Sequence, residues 1–129
     1  MDLGSGIVRR AIVTSANVAD VDHGHDLVMG DERSVYADKG YVGPRLRARL
    51  AQDSIRNRVQ RKAVRGHPLT ARETRRNVLI GRRRGRVEAV FGALKRSYGL
   101  ARMRFMGLAR NTAATLLTLT AWNLASAAR

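Results

Sequence analysis

The chain has 129 residues and no cysteine, and its 25 Lys+Arg against 10 Asp+Glu give a formal net charge of +15. That length allows one domain with a real core. The missing cysteines exclude disulfides, thiolate zinc sites and cysteine catalysis, and fit a reducing cytoplasm, while the charge points to a polyanion, nucleic acid first.

The charge is uneven: residues 1–44 sum to −3, residues 45–104 to +16 and residues 105–129 to +2. Seventeen of the nineteen cations in the middle block are arginines, which favour planar, bidentate phosphate contacts. Met1-Asp2-Leu3-Gly4 lacks the basic and apolar regions of a signal peptide. The apolar stretch 108–128 contains Arg110, Asn111 and Asn123, so it reads as a core helix and no membrane partner is expected.

In chain order, Ile7-Val8 and Ala11 to Thr14 read as a short extended segment after a Gly-Ser-Gly turn. Asp22 to Met29 reads as a short helix with acidic residues near its start. Ser34 to Ala37 reads as a strand stopping at Asp38, with a turn at Gly40. Pro44 opens a helix carrying Leu46 and Leu50 four apart, and Ile55 to Val59 reads as a second strand. Residues 61–70 form a basic loop with Gly66 and Pro68. A long helix follows from Ala71 to Tyr98, with Gly81 and Gly85 as points where it could break. Arg102 to Met106 reads as extended. The last helix, Leu108 to Ala128, carries an apolar stripe of Ala113, Leu116, Leu117, Thr120 and Leu124. Strands alternating with helices give an α/β fold class.

Two carboxylates stand out among the cations: Asp38 in Val35-Tyr36-Ala37-Asp38-Lys39-Gly40-Tyr41, and Glu88 in the run from Arg84 to Lys95. At about 100° per residue, Val87, Phe91, Leu94 and Tyr98 fall within about 60° on one helix face. Arg84, Glu88 and Lys95 lie on the flank of that stripe within about 40° of each other, and Arg82, Arg86 and Arg96 point away. This predicts Glu88 at the core margin, rigid yet able to reach a ligand, with Arg84 paired to it or to a phosphate. A plainer reading makes Arg84–Glu88 a surface pair and Asp38 the cap of its turn. Holding a divalent metal against nucleic-acid phosphate is the chemistry such carboxylates would serve.

Two other functional classes fit parts of the chain. One is a non-catalytic basic nucleic-acid-binding protein using the block 45–104 alone. The other is a small metal-dependent hydrolase built on Asp20, Asp22, His23, His25 and Asp26, because histidines two apart beside aspartates can ligate a metal. Trp122 and Tyr98, on helices with apolar neighbours, read as core. His67 reads as a surface residue.

The segments Leu3 to Val8, Thr14 to Asp20, Ala37-Asp38-Lys39-Gly40-Tyr41, Arg84 to Lys95, Arg104 to Asn111 and Trp122-Asn123-Leu124, taken in order, resemble the DDE transposases of bacterial insertion sequences. The resemblance covers nearly the whole chain. It implies an RNase H-like catalytic fold, incomplete because the first catalytic strand is missing, with C-terminal helices. The whole of residues 1–129 would then be the C-terminal portion of one catalytic domain. It makes Asp38 the second catalytic carboxylate. The family's motif Tyr-x2-Arg-x3-Glu-x6-Lys falls on Arg84, Glu88 and Lys95, with Glu88 the third carboxylate and Gly81 in place of the tyrosine. The first catalytic Asp of the family lies upstream of the segment that resembles Asp2 to Val8, so two of three carboxylates are expected here, and Asp2 is not one of them.

The resemblance further implies two Mg²⁺ ions, bound in the complete enzyme and impaired here, with Asp38 and Glu88 as ligands. It gives Arg84 and Lys95 contacts to DNA phosphate, and Arg86 and Arg96 on the outward helix face and Lys39 beside Asp38 complete the expected DNA-contacting cations. The implied partners are DNA and either the upstream part of a transposase or a second copy of the chain, in the cytoplasm. The isolated chain is expected to lack strand-transfer activity and to expose an unpaired sheet edge.

Overall fold

The computed structural model describes residues 1–128, with Asp20 described by its backbone alone. The elements are α1 (Asp20–His23), β1 (Ser34–Ala37), a 3-10 turn (Lys39–Tyr41), α2 (Pro44–Gln52), β2 (Arg56–Val59), α3 (Ala71–Ser97) and α4 (Leu108–Ala127). They form two compact units, Val18–Arg84 and Met1–Asn17 with Gly85–Arg129; α3 belongs to both.

The first unit, Val18–Arg84, is a β–α–β arrangement. Strands β1 and β2 pair in parallel, with Ser34 opposite Arg56 and Ala37 opposite Val59. Parallel neighbours need a crossover, and α2 supplies it. Pro44 sits in the first turn of α2, where its missing N–H is not needed. Leu46 and Leu50, one turn apart, are both buried and pack with Val28, Ile55 and Val59. Val35 and Ala37, alternate residues of β1, lie against the same cluster.

Helix α2 ends in a Schellman motif. The Ile55 N–H donates to the Leu50 carbonyl at 2.8 Å, and the Ser54 N–H to that of Ala51 at 3.2 Å. This geometry puts Ser54 at φ 55°, a left-handed conformation usually held by glycine.

The start of α3 is fixed by a capping box. The Glu73 N–H donates to Thr70 Oγ1 at 3.3 Å, and Glu73 Oε2 accepts from the Thr70 N–H at 2.9 Å. The other Glu73 oxygen pairs with Arg61. Asn77 then brackets Arg61, accepting from its N–H and donating to its carbonyl, both at 2.9 Å. Arg76 donates to the carbonyls of Val59 and Asn57 at 2.9 and 3.0 Å. The first two turns of α3 thus grip the C-terminal end of β2.

The second unit packs α4 and the C-terminal half of α3 around Val90, Leu94, Leu119 and Trp122. Tyr98 meets Trp122 edge to face, with centroids 5.7 Å apart. The N-terminal segment is tied down by side chains of α4. Trp122 Nε1 donates to the Gly6 carbonyl at 3.1 Å. The Asn123 amide accepts from the Val8 N–H at 2.8 Å and donates to the Val8 carbonyl at 2.9 Å.

β1, α2, the basic loop and the bounds of α3 follow the sequence reading. Five expectations are corrected. Residues 7–14 form no strand among the described residues, because Asn123 takes the place of a neighbouring backbone. The helix expected over 22–29 is the single turn α1. Residues 102–106 are a loop, and α3 runs unbroken through Gly81 and Gly85. The α4 stripe of Ala113, Leu116, Leu117, Thr120 and Leu124 faces outward, with Leu117 72% exposed, while Thr115, Leu119 and Trp122 are buried. The two-stranded parallel sheet with helices is of the α/β class. No helix among the described residues is long and apolar enough to cross a membrane.

Three measurements test this account. Ser54→Gly relieves the left-handed conformation and is expected to raise the denaturant midpoint by the equivalent of about 1 kcal/mol. Asn123→Ala leaves the Val8 backbone unpaired and is expected to cost about 1–3 kcal/mol, with faster amide exchange at Val8 and unchanged exchange in β1. The Glu73 carboxyl is held below its ordinary value of 4.5 by hydrogen bonds from the Thr70 N–H, then from Arg61 and the Thr70 hydroxyl. Its contribution is complete above that value and is lost as pH falls through the lowered one. The stability gap between the native chain and Glu73→Gln should therefore close on acidification below pH 4.5, and a constant gap would rule the linkage out.

Candidate active site and arginine groove

Strand β1 ends at Ala37, and the chain must turn before α2. Asp38 makes that turn. With φ −72° and ψ 162° it is the N-cap of the 3-10 turn, its carboxylate accepting from the Lys39 N–H. Its carbonyl accepts from the Tyr41 N–H at 3.0 Å. The side chain stays 43% exposed, and its second oxygen lies 3.8 Å from Arg84 Nη1. That distance is an ion pair beyond hydrogen-bond reach. Arg84 is the more enclosed partner, 22% exposed. The capping role read for Asp38 is therefore real, and it leaves one carboxylate oxygen turned towards a cation.

The expected pairing of Arg84 is corrected by this contact: its carboxylate is Asp38, not Glu88. Glu88 lies one turn further along α3. It is exposed, and its side chain makes no hydrogen bond or ion pair with any described residue. The buried positions of α3 are Ile80, Val90 and Leu94, whereas Phe91 is 46% exposed. The core stripe is thus turned away from Glu88, which stands clear of the core and not at its margin.

The other expected cations differ in their freedom. Lys39, Lys95 and Arg96 are exposed. Arg86 is also exposed, but donates to the Leu3 carbonyl at 2.6 Å and so holds the N-terminal turn. Gly81, at the position of the motif tyrosine, has Gln60 Nε2 3.5 Å from where a Cβ would stand.

A feature not singled out from the sequence is a groove of about 490 Å³ in the first unit, lined by Tyr36, Arg58, Arg76, Leu79, Arg82 and Arg83 among others. Tyr36 and Arg58 are register partners across β1 and β2. Arg76, Leu79 and Arg83 follow at helical spacing on α3, so pairing register and helix period together carried the signal. Burial, then the nearby charges of Arg61 and Arg58, lower the proton affinity of Arg76, against the opposing charge of Glu73. Four guanidinium groups line one groove, and planar, bidentate donors of that kind suit phosphate oxygens.

The carboxylates suit a hard, oxygen-seeking cation in kind, but not in number. Among the described residues no three acidic or histidine side chains come together in a way that could hold a metal. The second candidate cluster forms no such group among the described residues either. His23 Nδ1 and His25 Nε2 both face the Asp26 carboxylate, at 3.0 and 3.3 Å, and these contacts form no metal group. The side chain of Asp20 lies outside the described residues.

No solved structure gives a significant match. The chain is 34% identical over 125 residues to the transposase for insertion sequence element IS1106 of Neisseria meningitidis serogroup B. That alignment covers 95% of this chain and 43% of the relative, so the chain spans less than half the length of the curated protein it matches. The family model described as Transposase DDE domain matches residues 1–124. With both the model and the relative covering nearly all of its residues, the chain belongs to the DDE-domain transposase family.

Proposed function

We propose that this chain serves DNA transposition as the C-terminal portion of an RNase H-like catalytic domain, contributing Asp38 and Glu88 to the active centre. The observation that carries this reading is Asp38 immediately beyond β1 with Arg84 against its carboxylate. A strand end in an α/β sheet is a common site for ligands, and a guanidinium there offsets the carboxylate while a phosphate approaches. Glu88, exposed and unpaired among the described residues, is the second oxygen donor. The Arg58, Arg76, Arg82 and Arg83 groove gives the DNA backbone its track, and Lys39, Lys95 and Arg96 are further exposed cations.

The metal in this reading is Mg²⁺, which takes carboxylate oxygens. Two carboxylates do not complete the centre, so cleavage and strand transfer require a third from outside this chain. Alone, the chain binds DNA and does not cut it. The upstream part of a longer transposase is the partner this implies, and the cytoplasm is the compartment.

Binding of duplex DNA by the purified chain, followed by fluorescence anisotropy across salt concentrations, tests this. Four groove arginines on four phosphates give a log–log salt slope of about −4. In millimolar Mg²⁺ the double variant Asp38→Ala/Glu88→Ala should lose more affinity than the native chain, whose carboxylates gather the cation beside the DNA. An identical Mg²⁺ response in both proteins would leave a non-catalytic basic binder. Mg²⁺-dependent nicking by the native chain that Asp38→Ala abolishes would overturn its inactivity.

A further inference from the structure

Glu88 is the last acidic residue of the sequence, and every charged residue after it is Lys or Arg. Within that stretch the connection between α3 and α4 reads Arg102-Met103-Arg104-Phe105-Met106, cation and apolar side chain alternating. A loop that stayed solvated would not carry such residues outward, yet Met103 is 60%, Phe105 51% and Met106 91% exposed. Side chains of this kind cost free energy in water unless something covers them.

The loop is held in a defined shape. Gly99, at φ 74°, ends α3 with a backbone sense that L-residues avoid. Arg104 Nη2 lies 3.2 Å from where a Gly99 Cβ would stand, so glycine also makes room for that guanidinium. At the other end Asn111 brackets Phe105, accepting from its N–H at 3.2 Å and donating to its carbonyl at 2.6 Å. Asn111 also donates to the Gly107 carbonyl at 2.9 Å. Beneath the loop lies an open cavity of about 450 Å³, whose lining includes Tyr98, Leu100, Met103 and Phe105 together with Arg102 and Arg104.

From this we infer that the Gly99–Gly107 loop and its cavity form a second DNA site, which takes unpaired bases. Arg102 and Arg104 contact the phosphates of the strand while Phe105 and Met103 lie against a base face. The charge pattern selects a polyanion over a basic partner, because no carboxylate follows Glu88 to meet one, and the DNA that the chain is read to bind is that polyanion. The apolar side chains select exposed base faces over a paired duplex, whose faces are stacked shut. The inference rests on the reading that the chain binds DNA, and goes beyond it in assigning this loop and in preferring unpaired bases.

The test compares a short duplex with the same duplex carrying a run of unpaired bases, one of them 2-aminopurine, at one salt concentration. The native chain should bind the unpaired form about tenfold more tightly and quench the reporter. The variant Met103→Ala/Phe105→Ala should lose both the preference and the quenching, with intact-duplex affinity within about twofold of native. Phe105→Tyr, which keeps a ring, should retain both effects. Equal binding to the two DNAs by the native chain would overturn this site and leave the DNA reading standing, whereas no binding to either would overturn both. A native dimer that Met103→Ala/Phe105→Ala dissolves, without any preference between DNAs, would make the loop a contact between copies and overturn the site too.

Discussion

The grip of α3 on the end of β2 sets the rest of the first unit. Glu73, Arg76 and Asn77 meet the backbone or side chains of residues 57–61 through six contacts. Such a set fixes both the height of the helix along the strand and its rotation. Arg84 lies two turns beyond Asn77, so it returns to the side facing the sheet, and there it meets Asp38 at the end of β1. Arg83 stands in the same relation to Arg76, which is why both line one groove. Neither the ion pair nor the groove needs a device of its own once the helix is seated.

The second unit solves a related problem with fewer backbone bonds. Its N-terminal segment is held through Trp122 and Asn123, and the loop before α4 through Asn111. An asparagine amide places a donor nitrogen and an acceptor oxygen in the spacing of a peptide group, so one side chain can stand in for a strand residue. The arrangement concentrates order in a few side chains of one helix.

Much of this was legible. β1 and α2 were readable because Pro44, the Leu46–Leu50 spacing and the stop at Asp38 are local signals, and the carboxylates Asp38 and Glu88 were visible as exceptions in a basic chain. The outward face of α4 was not. Between Arg110 and Arg129 that helix carries no charge, and apolar residues occur on several faces, so period alone cannot choose between Leu117 and Trp122 as the buried side. The choice is made by contacts more than a hundred residues apart in sequence, Trp122 with Gly6 and Asn123 with Val8. The partner of Arg84 was hidden for the same reason: Glu88 is its neighbour in sequence, whereas Asp38 becomes one only through the seating of α3.

The composition of α3 has a consequence for how the chain responds to its ionic surroundings. Arg82, Arg83, Arg84 and Arg86 crowd about one turn of a helix that also holds Gly81, Gly85 and Gly92. Each glycine weakens an interior helix position by roughly 0.5–1 kcal/mol relative to alanine, and neighbouring like charges oppose helix formation. Dissolved ions screen that repulsion and firm the free helix, while the same ions compete for any phosphate it holds. Ionic strength therefore pulls fold and binding in opposite directions, and a bound polyanion does for this segment what concentrated salt does in its absence: it braces a helix whose own sequence pushes it apart.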